Sequence, residues 1–236
     1  MASPLRLIDL PYYPQTQPYH CGPACAQMIL SASGKYFSQD DLWSSIKAET
    51  TGARPAAAPE TAGQFASQQC DLCGGVWHCW DTNPPSLSKA LNANGPWTMS
   101  YMTKYPQTLD EAILALIDSI DTVPATPACA SFYAINHWVV VTGYHLEDPS
   151  LPGIPGFPIG SLKLLGMFFH NPQSPEPNGT VNWLATADFR QVLGPIICGA
   201  NQDTYPIVVA SWFGTLRILT SAVVKHAARW WLAIVR

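Results

Sequence analysis

The 236-residue sequence predicts an α+β fold in which helices come first and strands later. Three observations predict it. Segments with helical spacing and helix-start signals crowd into the first 120 residues. Unbroken apolar runs of strand length follow after residue 127. Hydrophobic residues make up 47% of the chain and include nine Trp, ample for a sizeable core.

Each element has a local reason. Residues 4–20 form an extended lead-in rich in Pro and Tyr. A helix is expected over residues 22–33. Pro23 suits its first turn, where a missing N–H costs nothing, and Gly34 suits its stop. Ser38-x-x-Asp41 is a capping-box-like start for a helix to about Lys47. Residues 51–59 read as an Ala/Pro/Gly linker, and residues 61–69 as a short helix. A further helix spans residues 84–91 and is closed by Asn94-Gly95. Residues 97–101 read as a strand. Thr108-x-x-Glu111 caps a helix through about Ile120, with Ile113, Leu116, Ile117 and Ile120 on one face. Residues 127–133 lead into a buried strand at 135–144, and a second strand follows at 162–169. A short helix at 186–192 and a strand at 206–210 complete the domain, residues 1–210. Residues 211–236 have helical spacing, with Arg217, Ser221, Lys225 and Arg229 on one stripe. This C-terminal amphipathic helix is expected to pack on the domain. Contact with a membrane surface or a partner is its other reading.

Composition excludes several classes. Only 12% of residues are charged, about half the usual share. The net charge of −4 argues against a nucleic-acid partner. No uncharged apolar run reaches the length of a membrane span. The first thirty residues lack a basic start followed by an apolar stretch, so a cytoplasmic location is expected. Seven cysteines is an odd number, so at least one stays unpaired within the chain.

Cys21 is the candidate for that thiol. An ordinary thiol has a pKa of about 8.5, and the first turn of a helix lowers it through its N–H groups and dipole. Gln15, on the preceding loop, could turn its side-chain N–H toward an oxyanion forming beside Cys21. Gln17 is its local rival. The base would be His137, near the start of a buried strand. A hairpin with the next strand brings Asn171 close to it, giving nucleophile, base and orienting group in the order Cys, His, Asn. Asp148, nearer in sequence, is the rival to Asn171.

These residues resemble a known family. Gln15, Cys21-Gly22-Pro23-Ala24, the run from His137 to Gly143 and Asn171-Pro172 look like the papain-like cysteine peptidases. The closest branch is that of the bacteriocin-processing, double-glycine leader peptidases. The likeness spans residues 11–193 and includes a middle helix near residues 82–92. It implies a papain-like fold, with the nucleophile at a helix N-terminus and the His on an antiparallel sheet. It also implies a peptide or protein substrate and an acyl-enzyme intermediate. Asn171 stands where this branch often carries Asp, and His20 where an acidic residue is common. Two other readings remain: a peptidase-like module that binds peptides without cleaving them, and a thiol-dependent deamidase or acyltransferase. No cofactor is expected. Cys70-x-x-Cys73 with His78-Cys79 has metal-ligand residue types, but the adjacent His78 and Cys79 fit a tetrahedral site poorly. Cys25, one turn after Cys21, reads as a core residue.

Overall fold

The computed structural model describes residues 5–50, 82–96, 99–122, 125–132, 137–147, 163–173, 181–195 and 203–212. The chain order is β1 (Leu5–Leu7), α1 (Cys21–Ala32), α2 (Gln39–Thr50), α3 (Pro84–Asn94), β2 (Met99–Lys104), α4 (Leu109–Ile120), β3 (Ala128–Phe132), β4 (His137–Leu146), β5 (Leu164–His170), β6 (Asn182–Ala185), α5 (Thr186–Val192) and β7 (Ile207–Trp212). This is the α+β arrangement that the sequence predicts.

The helix signals act where they stand. Gly34 has φ +75°. Its N–H bonds the Ser31 carbonyl, and the Lys35 N–H reaches back to the Leu30 carbonyl, so the end of α1 closes as a Schellman motif. Asn83 caps α3 by accepting the Ser86 N–H at 2.8 Å, with Pro84 in the first turn. Thr108 and Glu111 form a reciprocal capping box on α4.

All strand pairings are antiparallel, in the order β2-β7-β3-β4-β5-β6. β1 pairs Leu5 to Leu7 with His145 to Gly143, on the same strand whose earlier residues, His137 to Val141, pair with β3. β4 is therefore flanked along most of its length. It is also covered on both faces. Trp138 and Val140 join a core with α1, α2 and α3, whereas Val139 and Val141 join a second core with α4 and α5. Burial on both faces is why β4 reads as a continuous apolar run rather than an alternating one.

Some elements differ from the sequence reading. β1 and β6 are strands that local pattern does not announce, since each is short and owes its form to a neighbour. β2 extends past the expected end at residue 101 to Lys104, because β7 offers partners down to Ile207, which pairs with Lys104. β7 itself carries the sheet past residue 210. The expected linker at 51–59, the helix at 61–69, the cysteine cluster from Cys70 to Cys79, Asp148 and nearly all of the C-terminal helix lie outside the described residues.

Candidate active site

Cys21 is the first residue of α1 and is half-buried. His20 is the N-cap residue but offers no side-chain capping bond, and no acidic residue sits in the first turn. Pro23 contributes no N–H. The N-terminus of α1 therefore presents its dipole at Cys21 without a capping side chain or a carboxylate of its own first turn, while Asp40 of α2 acts on the neighbouring His20.

His137 opens β4 and is buried, at 6% exposure. The β4–β5 pairing sets Val140 opposite His170, so the chain leaving β5 at Asn171 lies beside the start of β4. His137 Nε2 stands 2.7 Å from Asn171 Oδ1. The Gln173 backbone N–H donates to the same oxygen at 2.9 Å. A backbone N–H only donates, so the amide orientation is fixed with its oxygen toward both. An amide oxygen only accepts. The proton must therefore sit on His137 Nε2, which leaves Nδ1 as the basic nitrogen. Burial lowers the His137 pKa from 6.5, and the bond to Asn171 pulls it partly back.

Thr82 links the starts of α1 and β4. A Cβ at Gly22 would collide with the Thr82 side chain, and the Trp138 indole N–H donates to the Thr82 carbonyl at 2.8 Å. The residue after Cys21 and the residue after His137 thus rest on one residue. α1 also packs directly on β4.

Gln15 is tied to the other side of the site. Its backbone N–H donates to the Pro172 carbonyl at 2.8 Å, and the Tyr12 hydroxyl donates to the Asn171 carbonyl at 3.0 Å. Its side chain folds back on its own loop. Nε2 donates to the carbonyls of Gln17 and Pro18, each at 3.0 Å. Gln17 itself is exposed and supplies backbone contacts to this turn.

The neighbours divide clearly. Cys25 is fully buried, and burial together with nearby Cys129 pushes its thiol pKa well up, so it has the character of an inert core thiol. His20 and His170 are also buried, which lowers the pKa of each. Among the described residues, no group of three or more His, Cys, Asp or Glu could hold a metal ion. Tyr12 and the Gln173 N–H are the contributors that sequence reasoning missed. Tyr12 carried only a compositional signal, and the Gln173 N–H carried none.

No curated protein matches the chain. Among solved structures, a double glycine motif protease from an AMS/PCAT transporter, in complex with its leader peptide, aligns at 11% identity with a TM-score of 0.45. That alignment covers 90% of this chain and 99% of the other. The peptidase domain of Streptococcus ComA, a bifunctional ABC transporter involved in quorum sensing, aligns at 13% identity with a TM-score of 0.43. It covers 86% of this chain and 96% of that one. The model of the Peptidase_C39 like family matches residues 7–192, from the end of β1 through α5, and the chain belongs to that family.

Proposed function

We propose that this chain is a cysteine peptidase acting through Cys21, His137 and Asn171. His137 Nδ1 takes the Cys21 proton, and the thiolate attacks a peptide carbonyl. The Cys21 backbone N–H and the Gln15 side chain hold the oxyanion. Gln15 reaches it by giving up, or sharing, one of its two bonds to the Gln17 and Pro18 carbonyls. The imidazolium then protonates the leaving amine, and water releases the acyl group. Asn171 accepts the Nε2 proton throughout, so it keeps the ring in the tautomer that makes Nδ1 the base. The observation that carries this reading is the His137–Asn171 bond, with its orientation fixed by the Gln173 N–H. The family assignment supports a peptide substrate.

The test is digestion of a peptide library by wild type and Cys21→Ala, read by mass spectrometry. Cleavage that disappears in Cys21→Ala supports the proposal. Deamidated or transferred products would move the same nucleophile to a different acyl acceptor. Binding without any Cys21-dependent product would leave a peptide-binding module.

A further inference from the structure

We infer that Gln39 is a positioning residue for the loop that carries Gln15, an inference that rests on the peptidase reading above. Gln39 is the first residue of α2 and is buried, at 5% exposure. Its amide uses all of its principal hydrogen-bonding capacity. Oε1 accepts the Thr16 backbone N–H at 2.9 Å and the Thr16 hydroxyl at 3.1 Å. Nε2 donates to the Pro14 carbonyl at 2.8 Å and to Gln27 Oε1 at 3.0 Å. Because one end faces a backbone N–H and the other a backbone carbonyl, the amide has one allowed orientation.

Pro14 and Thr16 are the two residues that flank Gln15. With the Gln15 N–H on the Pro172 carbonyl, three consecutive residues of this loop are fixed, two by Gln39 and one by the segment that carries Asn171. The network also reaches the residue before Cys21. The Thr16 hydroxyl has one hydrogen, which goes to Gln39 Oε1, an acceptor only. Thr16 Oγ1 must therefore accept from His20 Nδ1–H, 3.0 Å away. Gln27 closes the far end by donating to the Phe37 carbonyl at 2.8 Å. Buried amides could have been replaced by apolar packing between α1 and α2. A satisfied polar network specifies one geometry instead of many. Here the geometry it specifies is that of the loop that carries the oxyanion donor.

The inference is tested by turnover of a peptide found in the library digestion, with wild type, Gln15→Ala, Gln39→Leu and the double variant. Gln39→Leu should lower kcat by about tenfold or more with KM changed less than about threefold. Because Gln39 acts through Gln15, the double variant should be within about twofold of Gln15→Ala alone. Alkylation of Cys21 by iodoacetamide needs no oxyanion donor and should stay within about threefold of wild type, which also shows that the fold is intact. If Gln39→Leu fails to fold, Thr16→Val is the milder cut and should move kcat the same way, with Thr16→Ser restoring it. A kcat within about twofold of wild type in the folded variants overturns the inference, as do losses that multiply in the double variant. A wild type with no Cys21-dependent turnover overturns the peptidase reading, and this inference with it.

Discussion

Asn171 does two things through one oxygen, and they have different consequences when it is cut. It accepts the His137 Nε2 proton, and it is itself held by the Gln173 N–H. In the proposed mechanism Cys21→Ala and His137→Ala remove the groups that make and break bonds, so turnover should fall by about a thousandfold or more in each. Asn171→Ala removes only the orientation of the ring, and a loss of about ten- to a hundredfold is expected. Steady-state kinetics on the three variants checks the ranking. The pH profile gives the sign. A thiolate–imidazolium pair works between two apparent pKa values, the upper one set by loss of the imidazolium proton. Burial lowers the His137 pKa and the Asn171 bond raises it. Removing that bond should therefore move the alkaline limb of the kcat/KM profile to lower pH. A limb that stays put, or moves up, would show that Asn171 does not support the charged ring. The three side chains were legible in the sequence because each sits at a recognisable start or end: a helix mouth, a strand start and a strand exit. The tautomer was not, because it depends on an N–H from Gln173 that carries no side-chain signature.

Helix α1 shows how an element is held to its place by small residues. Gly22 has no side chain, so Thr82 can lie against the first turn, and Thr82 also accepts the Trp138 indole bond. Gly22→Ala should push α1 away from Thr82 and cost about 1–3 kcal/mol, as overpacking does. Turnover should fall with it, since Cys21 moves with the helix. Paired thermal unfolding and kinetics check both. At the other end, Gly34 at φ +75° meets no neighbour, so Gly34→Ala should cost about 1 kcal/mol from backbone conformation alone and leave turnover unchanged. The two glycines separate a packing role from a conformational one. Gly34 is readable as a helix stop from its position in the sequence. The need for Gly at 22 is not, because its partner, Thr82, lies sixty residues away along the chain.

At the scale of the whole molecule, three buried histidines among the described residues share one acid sensitivity. His20, His137 and His170 all have their pKa lowered by burial, against opposing pulls from Asp40, Asn171 and Asp9 respectively. The unfolded chain then binds protons more readily than the folded one between the ordinary value of 6.5 and the lower folded values. Their stabilising contribution is fully present above about 6.5 and is lost as pH falls through that window. Thermal unfolding followed from pH 8 to pH 4 should show the midpoint dropping on the acid side. His170 has no hydrogen-bond partner at either ring nitrogen among the described residues, so His170→Gln should flatten that drop most plainly. An unchanged acid slope in that variant would show that His170 contributes nothing to it.

Local signals along the chain are enough to specify several of the elements. Caps, stops and apolar runs placed α1, α3, α4 and β4 near their true bounds, because N–H satisfaction, left-handed glycine and burial are settled within a few residues. The sequence also pointed to Cys21, His137 and Asn171 through their places on those elements. What reaches across the chain is settled only once it folds. β1 and β6 are strands because β4 and β5 offer them hydrogen-bonding edges. Gln39 joins α2 to the Gln15 loop, and Thr82 joins α1 to β4, because folding brings distant groups to bonding distance. A pattern along the chain records what a residue is next to in sequence. Hydrogen bonds between remote segments depend on position in three dimensions, and the sheet's register and the packing of α1 on β4 supply that position.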